Sequence, residues 1–177
     1  MTDLFGSEKK QKELKEQSKN YLSWILTDRQ LCDVELLLNG GFSPLKGFLN
    51  KVDYKSVIKK MRLNNGILWP IPINLDVTEK FASKIKDLNK ITLRDKEGFP
   101  LAILTIEDIW RPDLNEESKL VYKTLSEKHP GVDYLLNICN KMYVGGVLEG
   151  ISLPRHYDYS NYRHTPNQLK SIFSKLK

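Results

Sequence analysis

The sequence predicts a mixed α+β fold, a roll with short flanking helices, and three observations carry that prediction. Helix entry and exit signals bracket several short amphipathic stretches. The stretch Ile91 to Ile106 reads as a β-hairpin around the turn Asp95-Lys-Glu-Gly98. Strands and helices interleave without a βαβ rhythm, which argues against a doubly wound parallel sheet. The 177 residues suffice for one buried core, and 40% apolar with 28% charged residues is an ordinary globular composition.

In chain order, Glu8 to Leu22 reads as a polar surface helix anchored by Leu14, Tyr21 and Leu22, with Glu8 and Lys12 as a stabilising pair four residues apart. Thr27 and Gln30 make a capping box, so a helix starts there. Leu31, Val34, Leu37 and Leu38 give it an apolar stripe, and Asn39-Gly40-Gly41 ends it at Asn39. A short helix from about Asp53 to Met61, seated by Val57, Ile58 and Met61, is broken by Asn64-Asn65-Gly66. From Ile67 the period becomes two: Trp69, Ile71, Ile73 and Leu75 share a face, while Pro70 and Pro72 mark an edge or bulged strand. Thr78 caps one or two turns carrying Phe81, Ala82 and Ile85. The second hairpin strand is apolar on both faces from Leu101 to Leu104, as an enclosed strand is, and Ile109-Trp110 extends it. Glu116 to Ser126 and Val132 to Cys139 read as helices. Lys141-Met-Tyr-Val reads as a strand, with a bulge or bend at Gly145-Gly146. Thr165-Pro166-Asn167-Gln168 is a second capping box, after which Leu169, Ile172, Phe173 and Leu176 line one helical face.

Charge and composition exclude several classes of function. The net charge of +6 sits mainly at the end of the chain, where residues 155–177 carry +4, while residues 1–30 and the intervening body carry +1 each. A nucleic-acid binder concentrates cations on its folded body, so nucleic acid is an unlikely partner on this pattern. No apolar run approaches the ~20 residues of a membrane span, and Met1 to Ser7 leads into a charged helix rather than an apolar signal segment, so a cytoplasmic, membrane-free protein is expected. Cys32 and Cys139 stand apart, both expected reduced and in the core.

Two stretches invite a chemical reading. Asn39-Gly-Gly-Phe-Ser resembles a phosphate-binding turn, but a phosphate cradle opens a helix and this one closes it, which favours a helix stop. Arg155-His156-Tyr157-Asp158-Tyr159, with Tyr162, Arg163 and His164, interleaves cations and aromatic rings. It suits an anion or a stacked base, and equally an ordered linker; the linker is favoured, with Arg155, His156, Arg163 and His164 as candidate anion or domain-interface contacts. Trp24, Trp69 and Trp110 read as core residues, and His129 as part of the turn entering the Val132 helix. No catalytic, cofactor-binding or metal-binding residue is assigned in the chain.

The run Leu26-Thr-Asp-Arg-Gln-Leu-Cys-Asp33 followed by Asn39-Gly-Gly-Phe-Ser-Pro-Leu-Lys-Gly-Phe48 resembles the amino-terminal domain of the ATP sulfurylase (sulfate adenylyltransferase) family. Further blocks resemble it in the same order: Met61-Arg-Leu63, Leu68-Trp-Pro-Ile-Pro-Ile73, Leu75-Asp-Val77, Ile91 to Asp95, Ala102 to Thr105, His129-Pro130, Gly145-Gly146 and Leu153-Pro-Arg-His-Tyr-Asp-Tyr159, covering about residues 21–170. The resemblance implies a PUA-like pseudo-barrel over residues 21–154, preceded by a polar helical extension (1–20) and followed by a linker and helix (155–177). It implies an enzyme that makes adenosine 5′-phosphosulfate and pyrophosphate from sulfate and Mg-ATP, as a homo-oligomer when full length. The lysine-rich opening lacks the family's Pro-His-Gly-Gly, and the Gln-x-Arg-Asn and His-x-x-His motifs of the family's catalytic domain are absent. The chain is therefore expected to be a non-catalytic scaffold piece of a longer enzyme, partnered by a catalytic domain of the same chain; the alternative is a free-standing PUA-type RNA-binding module.

Overall fold

Among the described residues, each of the seven α-helices in this computed structural model starts at a side chain that accepts a backbone N–H, which relieves the donors a helix leaves unpaired at its entry. The structure describes residues 4–176, so the reading of Met1 to Asp3 and the charge of Lys177 lie outside the described residues. Ser7 caps α1 (Glu8–Gln17), Thr27 caps α2 (Asp28–Leu38), Asn50 caps α3 (Lys51–Lys60) and Thr78 caps α4 (Glu79–Ile85). Asp113 caps α5 (Leu114–Val121), His129 caps α6 (Pro130–Asp133) and Thr165 caps α7 (Pro166–Lys175). Both predicted capping boxes form with each partner in place.

Among the described residues six strands, β1 (Ser23–Ile25), β2 (Gly47–Phe48), β3 (Leu75–Val77), β4 (Lys90–Arg94), β5 (Pro100–Trp110) and β6 (Met142–Gly150), make one open sheet in the order β1-β4-β5-β6-β2, with β3 on β6. The chain divides into two units, one of Met1–Gly47, Asn89–Thr105 and Val147–Lys177, the other of Phe48–Leu88 and Ile106–Gly146. In the first unit β1 runs parallel to β4 with Trp24 opposite Leu93, and β4 pairs antiparallel with β5, Ile91 opposite Leu104. Gly98, at φ 89°, supplies the left-handed residue of the predicted turn, where Asp95 accepts the Phe99 N–H. Leu101 to Leu104 are buried without a break, as the two-sided apolar pattern predicts. Leu14, Ile103 and Ile151 pack together beneath Tyr21, and Thr92 donates its hydroxyl to the Ser18 carbonyl at 2.8 Å.

In the second unit β3 pairs antiparallel with the first half of β6, Leu75 opposite Val144, and α5 packs beside α3. Gly145 is needed for a close approach: a Cβ there would lie 2.3 Å from the Leu49 carbonyl oxygen. The strand β6 runs through Gly145 and Gly146 to Gly150, with Gly146 at φ 156°.

Other expectations are corrected. No strand spans residues 67–74; Ile71 is exposed, and the prolines leave this backbone no donors at alternate positions with which to join a ladder. Met61 does not seat α3: it is exposed and ends the helix in the left-handed conformation at φ 53°. The helix predicted from Glu116 to Ser126 runs instead from Leu114 to Val121, with Lys123 at φ 59° beyond it. The one predicted from Val132 to Cys139 is α6 followed by a π-helical turn, Tyr134–Ile138. The opening helix gives way to a 3-10 turn at Ser18–Asn20, leaving Leu22 exposed. Glu8 and Lys12 form no ion pair; Lys10 instead reaches Glu149 at 3.4 Å. Neither cysteine is in a disulfide, but Cys32 is exposed while Cys139 is buried. Trp110 is a core residue, whereas Trp24 and Trp69 are half-buried. No helix among the described residues is long and apolar enough to cross a membrane.

Candidate functional site

The cation-rich segment after β6 lies at a cavity of about 400 Å³ in the first unit, walled by α1, the hairpin turn and the residues leaving β6. Buried Ile151 and Leu101 hold the two backbone edges together, the Ile151 N–H donating to the Leu101 carbonyl at 2.8 Å, and Ser152 Oγ donates to the Pro100 carbonyl at 3.0 Å. That pairing brings Arg155 across the hairpin turn, where its guanidinium stands 4.5 Å from the centre of the Phe99 ring. Lys12 and Lys15 from α1 join the lining, with Glu8 and Asp95 as the opposing charges.

The four predicted contact residues take separate partners. His156 Nε2 meets Glu35 Oε1 of α2 at 2.8 Å, which ties the segment to the body of the unit. Arg163 turns back on its own segment, 3.1 Å from the Asp158 carboxylate. His164 donates its backbone N–H to the Tyr162 carbonyl and leaves its ring exposed. Arg155 and His156 thus fasten the start of the segment, while Tyr157, Tyr159 and Tyr162 stand out from the surface. Farther along, α7 buries none of its residues, and Ile172, Phe173 and Leu176 are exposed.

The glycine turn after α2 spends its amides internally. Gly40 donates to Leu37, Gly41 to the Asn39 side chain, Phe42 to Leu36 and Ser43 to Gly40, which leaves no row of free N–H groups to cradle a phosphate. Among the described residues no group of three His, Cys, Asp or Glu side chains has the geometry to hold a metal ion.

Sequence reasoning missed the polar heart of the second unit. Glu117 is buried and its Oε2 accepts from Tyr54 at 2.9 Å and Tyr143 at 3.0 Å, under a tilted and edge-on cluster of Tyr54, Tyr143 and Trp110 rings. Burial first, and then the Glu117 charge, push both phenols well above the ordinary tyrosine range. Asp76, also buried, accepts two bonds from Asn140 at 2.9 Å. These partners lie 26 to 64 residues apart, and no local pattern links them.

Comparison with known proteins places this geometry in context. A model of a PUA-like domain matches residues 1–153. The chain is 53% identical over 157 residues to a sulfate adenylyltransferase of Kluyveromyces lactis, covering 89% of this chain and 31% of that one. It is 52% identical to its counterpart in Saccharomyces cerevisiae over the same share of this chain and 30% of that one. With the Eremothecium gossypii sulfate adenylyltransferase the match is 46% over 98% of this chain and 35% of that protein. Among solved structures, a hexameric APS kinase from Thiobacillus denitrificans superposes with a TM-score of 0.78 at 27% identity, over 99% of this chain and 30% of that one. The chain thus spans about a third of the length of the curated relatives it matches.

Proposed function

The chain belongs to the PUA-like domain family, and on that premise we propose that it is the amino-terminal scaffold domain of a sulfate adenylyltransferase. The full-length enzyme would join sulfate to the α-phosphorus of Mg-ATP, with catalysis supplied by the remaining length. One observation carries the reading: half the residues are identical to sulfate adenylyltransferases over nearly the whole chain, yet the match takes up only a third of each relative. Residues 1–20 form an extension, 21–154 the scaffold body, curled as a pseudo-barrel, and 155–177 a linker and helix. Arg155 and His156 seat the linker on the body, and α7 carries its apolar stripe toward the catalytic domain. A helix this short is marginal alone, which supports a packing partner for that stripe. The hexameric relative supports an oligomeric full-length enzyme.

A chimera tests the proposal: the K. lactis enzyme with its matched stretch replaced by this chain, assayed beside the 177 residues alone. Sulfate-dependent pyrophosphate release is expected from the chimera and not from the 177 residues. Release by the short chain, or an inactive chimera, overturns the reading. The exposed Tyr157, Tyr159 and Tyr162 beside Arg155 and Arg163 favour RNA stacking as the second reading. Tight binding of a structured RNA by the 177-residue chain, lost on deletion of residues 155–177, would support that second reading.

A further inference from the structure

Exposed apolar side chains scattered singly over a surface need no explanation, whereas a cluster of them does. Met61, Ile67, Leu68 and Ile71 are 55%, 43%, 62% and 52% exposed, all within one short excursion after α3 in the second unit. The excursion is not a loose loop. Leu63 donates to Ile67, Gly66 to Leu63 and Trp69 to Met61, each at 2.9 Å, so that Arg62 faces Leu68 across a miniature hairpin. Asp53 of α3 clamps the tip by accepting the Asn64 N–H at 2.7 Å, and buried Leu63 anchors the base. Pro70 and Pro72 stiffen the exit. Met61 holds a left-handed backbone, a conformation that non-glycine residues disfavour. A fold that spends strain and bonds to hold oily side chains in water has prepared a contact surface, since a pre-ordered loop loses little entropy on binding.

We propose that this hairpin, residues 61–71, is the docking surface for the part of the sulfate adenylyltransferase outside this chain; the inference rests on the scaffold reading above. The occupant is argued from length and charge. About two thirds of each relative lies outside the matched stretch and must contact the scaffold somewhere. Lys55 and Lys60 on α3 have no carboxylate partner among the described residues, and Arg62 gives its guanidinium only to the Gly66 carbonyl at 2.9 Å. Lys60 and Arg62 flank Met61 in the chain, so the apolar patch carries cations beside it and suits a partner that presents carboxylates around an apolar centre. A second copy of this chain fits less well, because a two-fold contact through Met61 would bring Lys60 and Arg62 of one copy toward those of the other.

Met61 reports on the patch directly, since peroxide converts an accessible thioether to its sulfoxide and burial slows that step. The experiment compares the oxidation rate of Met61, read by peptide mass spectrometry, in the 177-residue chain and in the K. lactis chimera. At least tenfold slower oxidation in the chimera is expected. The double substitution Leu68→Glu, Ile71→Glu should leave the melting temperature of the 177-residue chain unchanged and lower that of the chimera by about 5 °C. An active chimera in which Met61 oxidises as fast as in the short chain overturns the docking surface and leaves the scaffold reading standing. An inactive chimera overturns the scaffold reading and the inference with it. Protection of Met61 in the short chain alone that fades on dilution assigns the patch to a second copy and overturns the inference.

Discussion

At the scale of single residues, the second unit depends most on Glu117. Its carboxylate is buried and takes both tyrosine hydroxyls, so removing it strands two donors, whereas removing one hydroxyl leaves the carboxylate its other phenol. Glu117→Ala should cost about 2–4 kcal/mol in urea unfolding and Tyr143→Phe about half as much. The same cluster sets an alkaline limit. Unfolded tyrosines ionise near pH 10, but in the folded chain burial, and then Glu117, hold Tyr54 and Tyr143 protonated well beyond that. Above pH 10 the unfolded state binds fewer protons than the folded state, so stability is intact below pH 10 and falls as pH rises, by up to about 1.4 kcal/mol per unit for each phenol. Stability profiles between pH 8 and 11.5 should show this fall, made shallower by Tyr143→Phe. None of this was legible in the sequence, because a buried carboxylate looks like a surface one until residues far apart in the chain converge on it.

At the scale of elements, local chemistry was far more readable. Thr27 and Gln30, and Thr165 and Gln168, satisfy each other's backbone neighbours within four residues, so both boxes could be found without any tertiary knowledge. Thr27→Ala should cost about 1 kcal/mol by urea melt, the usual worth of an N-cap. Gly145 is the contrasting case. The sequence marks it as special, but only the packed structure shows that the Leu49 backbone crosses where a Cβ would sit. Gly145→Ala should therefore cost more than the cap, about 3 kcal/mol, since backbone rather than a pliable side chain has to move. The stretch from Ile67 to Ile73 misled for a related reason: alternation of apolar residues signals a strand only if a neighbour takes its hydrogen bonds. Residues beyond α6 misled too, as a π-helical turn carries no pattern distinct from an α-helix.

At the scale of the whole molecule, the location of charge matters more than its sum. Since residues 155–177 hold +4 of the +6, binding to a random RNA should be weak, should fall steeply between 50 and 200 mM salt, and should vanish when that segment is deleted, as filter binding can measure. Deleting residues 166–177 should scarcely move the melting temperature of the isolated chain, because α7 buries none of its residues. What the sequence determined by itself was the two capping boxes, the hairpin with its enclosed second strand, and a block series dense enough to indicate a family later matched over residues 1–153. All of these rest on interactions between near neighbours or on residue order. What only the tertiary structure decided was which apolar residues were left in water, which glycine faced a backbone, and which four predicted contact residues kept separate partners. Those outcomes depend on groups brought together from distant parts of the chain, and a linear pattern records the groups without recording their meeting.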